Sequence, residues 1–257
     1  MSINHKTDMV YGMVQGAGLI ADIAWPQGDG PFPVILSVHG GRWIREDRHT
    51  VSSIDVENWA KHGFFAMNIE YRLVTCSPAP ACYQDVQCAI RWVHAHKEKY
   101  QLDTDRLFLI GMSAGGHLVS LAATLGDGRF PRTGGWEDAP NTIAGAISVS
   151  GAYDLRRLDW GSGWIPPGEP WDEARQYASP IEHVSAPMPP LLILHSDDDG
   201  SVPIAQATAM VETLENAGAA HRFCHYTDWG HIPIKEPAEA EARRFIEDVC
   251  AGRVGTV

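Results

Sequence analysis

The stretch Arg106-Leu107-Phe108-Leu109-Ile110-Gly111-Met112-Ser113-Ala114-Gly115-Gly116-His117 decides how this chain is read. Its opening residues form a short apolar run without alternation, as in a strand covered on both faces. From Ser113 to Leu125 the pattern becomes helical. Between strand and helix stands G-x-S-x-G, with Ser113 at its centre. A serine at so sharp a turn adopts strained dihedrals, and glycines two positions to either side let the neighbouring backbone pass where a Cβ would clash. The hydroxyl then stands above the sheet at a helix N-terminus, where the Ala114 N–H can face a developing oxyanion.

Working outward, Phe32 to Val38, Phe64 to Glu70, Ala144 to Ser150 and Pro190 to His195 are further apolar runs of the same kind. Met9 to Val14 and Gly18 to Trp25, joined by Gln15-Gly16-Ala17, read as an opening hairpin. Ala81 to Glu98 carries Val86, Ala89, Ile90 and Val93 at helical spacing, and Pro203 to Ala217 and Pro237 to Cys250 are helical candidates too. Strands alternating with helices imply an α/β fold: a mostly parallel twisted sheet of about eight strands with helices on both faces. The 257 residues fit one such domain, 1–257, without repeats or low-complexity blocks.

Composition narrows the function. With 44% apolar and 20% charged residues, the chain can fill a core. Twenty basic against 32 acidic residues leave a net charge of −12, which repels the phosphate backbone and makes nucleic acid an unlikely partner. No apolar run approaches the ~18 residues of a membrane span, and the first residues lack the order of a secretory signal, so a cytoplasmic location is expected. Cys76, Cys82, Cys88, Cys224 and Cys250 form no C-x-x-C pair and read as free thiols.

A serine hydroxyl needs a base beside it and an acid behind that base. The strand Pro190 to His195 ends in Ser196-Asp197-Asp198-Asp199-Gly200-Ser201-Val202-Pro203, which offers three carboxylates at a strand tip. Later, Tyr226-Thr227-Asp228-Trp229-Gly230-His231 allows Gly230 to turn His231 back toward the sheet. Among the twelve histidines, His117 is carried down the helix from Ser113, and His195 reads as packing.

His39-Gly40-Gly41-Arg42-Trp43, the Ser113 turn, Asp199-Gly200-Ser201-Val202-Pro203 and Gly230-His231 together resemble the α/β-hydrolase esterases, of the hormone-sensitive-lipase-like and bacterial feruloyl/acetyl-xylan esterase-like (BD-FAE) types. The resemblance implies the α/β-hydrolase fold and a Ser113, Asp199, His231 triad, and it selects Asp199 over Asp197 and Asp198. It places the oxyanion hole at Gly40, Gly41 and Ala114. Arg42 departs from the family's third glycine; it reads either as a cation near the site or as a surface residue paired with Glu46 or Asp47. Arg72 and Asp85 read as a structural ion pair.

Trp160, Trp164 and Trp171 crowd the irregular stretch Leu155 to Trp171. A small lid loop is expected over 155–176, with Trp43, Trp160 and Trp164 walling a substrate pocket narrow enough to favour short acyl chains. The expected activity is hydrolysis of small carboxylic esters, short-acyl or aryl, through an acyl-enzyme. No metal or organic cofactor is implied. A small-molecule ester is the expected partner, no membrane is, and a homodimer is the expected form of any assembly. Rival readings are an arylformamidase-like amide hydrolase, a carbohydrate acetyl or feruloyl esterase, and a pseudo-hydrolase that binds without turnover.

Overall fold

A computed structural model describes residues 2–255. The eight strands are β1 (Ile3–Val14), β2 (Ala17–Pro26), β3 (Phe32–Val38), β4 (Phe65–Ile69), β5 (Leu102–Met112), β6 (Gly145–Val149), β7 (Leu191–Ser196) and β8 (His221–Tyr226). They form one sheet in the order β1-β2-β4-β3-β5-β6-β7-β8. The β1–β2 and β2–β4 pairings are antiparallel and all others parallel. The helices are α1 (Val56–Lys61), α2 (Ala81–Ala95), α3 (Lys97–Tyr100), α4 (Ala114–Thr124), α5 (Trp171–Tyr177), α6 (Ala205–Ala217) and α7 (Ala238–Cys250).

The period-2 alternation of strand side chains divides the core into two layers. Val34, Leu36, Val38, Leu107 and Leu109 point to one face, where they meet Val86 and Ile90 of α2, Leu118 and Leu121 of α4, and Met210 and Leu214 of α6. Ile35, Phe108 and Ile110 point to the other, against Trp59 of α1 and Phe245 and Ile246 of α7. Because both faces are covered, the central strands are apolar throughout, and this is why their sequences do not alternate.

The expected strands and the long helices are all present, with shifted ends. The helix expected over Ala81 to Glu98 stops at Ala95, where His96 turns the chain into the separate turn of α3. Two short helices, α1 and α5, arise where no periodic pattern pointed to one. The Trp-rich stretch is two 3-10 turns, Leu155–Arg157 and Asp159–Gly163, followed by α5. No helix among the described residues is long and apolar enough to cross a membrane.

The parallel strands β3 to β8 end at one edge of the sheet. The loops that leave them carry His39 to Ser52, Ser113, Ser150, Asp199 and His231.

Candidate active site

Ser113 joins β5 to α4 with φ 56° and ψ −116°, an uncommon conformation for a residue with a side chain. The sequence permits it because of its glycines. A Cβ on Gly115 would lie 2.0 Å from the Val38 carbonyl oxygen, and one on Gly111 would lie 2.4 Å from the Gly115 carbonyl. The Ser113 N–H donates to the Val149 carbonyl at 2.9 Å, which ties the turn to β6. Ser113 is only 4% exposed.

The three consecutive aspartates after β7 have separate partners. Asp197 meets His225 at 2.5 Å near the surface. Asp198 accepts from Ser196 Oγ at 2.6 Å and from the Gly230 N–H at 2.9 Å, pinning the loop that carries His231. Ser196 Oγ also accepts the Trp229 N–H, and Ser150 Oγ the Ile232 N–H. Asp199 faces inward, its side chain fully buried. Its Oδ1 accepts the N–H groups of Ser201 and Val202 at 2.8 and 2.9 Å, and its Oδ2 lies 2.8 Å from His231 Nδ1. Burial on its own would raise the Asp199 carboxyl, but the His231 hydrogen bond and the two N–H donors outweigh it and hold the group below its ordinary value.

Behind Asp199 lies His195, fully buried. Its Nε2 donates to the Val202 carbonyl at 2.8 Å and sits 3.5 Å from Asp199 Oδ2. Burial lowers the affinity of this imidazole for a second proton, so it serves as a neutral donor. His195 is therefore anchored beside Asp199 by the Val202 carbonyl, and does more than fill the core.

With Nδ1 of His231 committed to Asp199, its Nε2 is the nitrogen left for chemistry. His231 and Ser113 line one small cavity of about 90 Å³, with Gly40, Gly41, Arg42, Arg45, Glu46, Ser52, Met112 and Ser201 among the other walls. No hydrogen bond joins Ser113 Oγ to His231 among the described residues. Such bonds are often long before substrate binds. His117, the nearest rival base in sequence, is fully buried, which pushes it down to about 4, and its Nε2 donates to the Ala178 carbonyl at 2.7 Å, outside the cavity.

In the loop expected to supply oxyanion donors, Gly40 is already engaged. Its N–H donates to Ser52 Oγ at 3.0 Å, and Ser52 Oγ donates onward to Glu46 Oε2 at 2.7 Å, so this donor is already spent on closing the loop. The N–H groups of Gly41, Arg42 and Ala114 have no acceptor among the described residues. The carbonyls of Gly41 and Gly40 are held instead: the first accepts from Ile44 and Arg45, the second from Tyr71 Oη at 2.7 Å. Of the two loop glycines expected as donors, only Gly41 keeps a free N–H, and those of Arg42 and Trp43 are free beside it among the described residues.

The tryptophans also lie elsewhere than expected. Trp43 and Trp164 are buried and none of Trp43, Trp160 and Trp164 lines the cavity. Trp43 packs on Trp160, Trp164 and His117 at centroid distances of 4.8, 5.6 and 5.1 Å. The Trp-rich stretch is thereby fastened to the oxyanion loop and to α4. Trp160 Nε1 donates to the Ser201 carbonyl, so it braces the cavity from behind. Arg42 pairs with neither Glu46 nor Asp47; its guanidinium lies 5.9 Å from the Trp160 ring. Arg72 and Asp85 form the expected ion pair, with Nη2 2.7 Å from Oδ1 of a fully buried carboxylate.

Residues 21–214 match the BD-FAE family. The chain is 33% identical over 228 residues to the probable carboxylic ester hydrolase LipM of Mycobacterium tuberculosis, covering 82% of this chain and 52% of LipM. It is 27% identical to the esterase LipC of the same organism, covering 75% of this chain and 53% of LipC. The chain thus spans about half the length of the curated relatives it matches. Among solved structures, a truncated carbohydrate esterase from gut microbiota superposes with a TM-score of 0.85 at 22% identity over 96% of both chains. Butyrate-bound esterase Est2 of Thermogutta terrifontis does so with a TM-score of 0.79 at 23% identity, over 98% of this chain and 95% of that one. These likenesses show the α/β-hydrolase fold.

Proposed function

The chain belongs to the BD-FAE family, and on that premise we propose a serine carboxylic-ester hydrolase that acts on small esters through an acyl-enzyme intermediate. One observation carries the reading. Asp199 holds His231 by Nδ1 at 2.8 Å, which leaves Nε2 as the free nitrogen of an imidazole that shares its cavity with Ser113.

In this reading Ser113 Oγ attacks the ester carbonyl as His231 Nε2 takes its proton. Asp199 fixes the tautomer and stabilises the imidazolium that forms. The carbonyl oxygen gathers negative charge and is met by the free N–H groups of Gly41, Arg42 and Ala114, the last at the N-terminus of α4. His231 returns the proton to the leaving alcohol. Water then enters, gives a proton to His231 and attacks the acyl carbonyl; as the bond to Ser113 Oγ breaks, His231 returns that proton to Oγ and the carboxylic acid leaves. The likeness to LipM, a probable carboxylic ester hydrolase, and to the esterase LipC favours esters over the formamides that the same triad could cleave. A complete set of serine, histidine and aspartate argues against a binding protein without turnover.

The test is a serine-directed fluorophosphonate together with Ser113→Ala. The expected result is one adduct per chain on Ser113, and a loss of nitrophenyl acetate turnover of about a thousandfold or more in the variant. Turnover within tenfold of wild type in folded Ser113→Ala would refute the proposal.

A further inference from the structure

The chain has fifteen arginines against 32 acidic residues, so a guanidinium without a carboxylate is unusual here. Twelve of the fifteen pair with Asp or Glu among the described residues. Arg91 donates to the carbonyls of Thr133 and Gly135 instead. The remaining two are Arg42 and Arg45, and their side chains have neither an ion pair nor a protein hydrogen bond among the described residues. Both line the cavity that holds Ser113 and His231.

Arg42 stands in the left-handed region at φ 56°, followed by Trp43 at φ 63°. Glycine would take that conformation without strain, whereas a residue with a Cβ costs stability there. A strained residue at a site points to a use for its side chain. The guanidinium of Arg42 lies over Trp160, whose Nε1 binds the Ser201 carbonyl, and Ser201 is another wall of the cavity. The cation thus stands beside a ring that is hydrogen-bonded to a wall of the cavity, the segment after Asp199. The one acid on the same wall, Glu46, is engaged through Oε2 with Ser52 and Thr50.

From these observations we infer that the substrates are anionic: esters that carry a carboxylate near the scissile carbonyl, held by Arg42 and Arg45. The inference rests on the proposed esterase reading and sharpens it. A net charge of −12 repels anions at long range, so without these two cations a charged ester would fare worse than its neutral counterpart. Guanidinium groups suit the task because they bind carboxylate in a planar fork.

The experiment compares kcat/KM for two matched pairs, each corrected for its rate with hydroxide. One pair places the charge on the alcohol (meta-carboxyphenyl acetate against meta-carbamoylphenyl acetate), the other on the acid (nitrophenyl hydrogen adipate against nitrophenyl hexanoate). In wild type the anionic member of at least one pair is expected to lead by about tenfold, as for a hydrogen bond to a charged group. Arg42→Gly with Arg45→Gln should bring that ratio to one or below, and Arg45→Gln alone should lower it. Using a ratio within each variant cancels losses of fold or of the triad. A wild-type preference for the neutral member of both pairs, or a preference for the anion that survives removal of both cations, overturns the inference. Labelled Ser113 with turnover of neutral esters alone would sink only this inference, whereas absent labelling and turnover would sink the esterase reading beneath it.

Discussion

Replacing Asp199 with asparagine keeps the size of the side chain and exchanges one oxygen for NH2. The two N–H donors of Ser201 and Val202, at 2.8 and 2.9 Å from Oδ1, require an oxygen at that position. The amide nitrogen must then take the place of Oδ2, 2.8 Å from His231 Nδ1 and 3.5 Å from His195 Nε2. His231 Nδ1 also lies 3.0 Å from Oδ1, but that oxygen already accepts two N–H groups; the NH2 at the shorter 2.8 Å contact donates to Nδ1, which moves the imidazole proton to Nε2, pointing into the cavity. The base is thereby lost in its resting form, and the imidazolium loses the charge that stabilised it. The first effect leaves the bound enzyme in the wrong tautomer and the second raises the transition state, so the loss falls on kcat: about ten thousandfold, equivalent to roughly 5.5 kcal/mol. The assay is nitrophenyl acetate hydrolysis, with circular dichroism to verify folding. Asp198→Asn is the control. Both of its donors, Ser196 Oγ and the Gly230 N–H, bind the same oxygen, which an amide retains, so its activity should stay within about tenfold of wild type. If folded Asp199→Asn also remains within tenfold, or if Asp198→Asn loses as much, Asp199 is not the acid of the site.

Stability should report on His117, which is pushed down to about 4 from an ordinary value of 6.5. A lowered histidine contributes full stability above 6.5 and loses it as pH falls toward 4, because the unfolded chain binds the proton first. Between pH 7 and about 4.5 the loss is roughly 2 to 3 kcal/mol; denaturant unfolding of His117→Gln should lack that component, and an unchanged pH slope would contradict it. Arg48→Met leaves the nearly buried Asp22 and half-buried Glu70 without their cation and should cost about 3 kcal/mol, seen as a lower melting temperature. Ser52→Ala frees the Gly40 N–H and removes the Ser52 link to Glu46, so kcat should fall about tenfold while Ser113 still takes up the fluorophosphonate. Among nitrophenyl esters of two to twelve carbons, the cavity of about 90 Å³ favours the shortest chains, and a twelve-carbon optimum would contradict that.

The parts of the molecule legible in the sequence are those where local sterics or periodicity leave few alternatives. The Ser113 turn is one, since a Cβ at Gly111 or Gly115 would come within 2.4 or 2.0 Å of backbone atoms and only glycine fits. The central strands are another, because burial on both faces demands unbroken apolar runs. Helix α1 spans six residues and α5 seven, too few turns for an apolar stripe to stand out. The loop donors escape for a different reason: nothing near Gly40 reveals that Ser52, twelve residues on, accepts its N–H. Trp43 is ambiguous by nature, as an indole walls a pocket or fills a core equally well, and here it meets Trp164 and His117 in the core. The three adjacent aspartates differ in role only because Ser196, His225 and His231 reach different ones of them.

Strain is unevenly spread over the structure, and its distribution bears on how the site is built. Of the ten described residues other than glycine with positive φ, six belong to the loops at the active edge of the sheet: Arg42, Trp43, Glu46, Ser113, Ser150 and Asp228. Each such residue costs of order 1 to 3 kcal/mol when the surroundings do not relieve it. Around them hydrogen bonds run within loops, as from the Gly40 N–H to Ser52 Oγ, and also between them. Ser113 N–H binds Val149, Ser150 Oγ accepts from Ile232, and Val74 N–H binds the Trp43 carbonyl. Ser113, Ser150 and Trp43 are thereby each tied to a neighbouring strand tip or loop. Oxyanion donors are useful only if they stand in place before charge develops, since reorientation at that moment would consume the stabilisation they offer. On the proposed esterase reading, strain concentrated around Ser113 and the Arg42–Trp43 turn keeps the proposed donors in place, and Trp43, packed on Trp160 and Trp164, fastens the same loop.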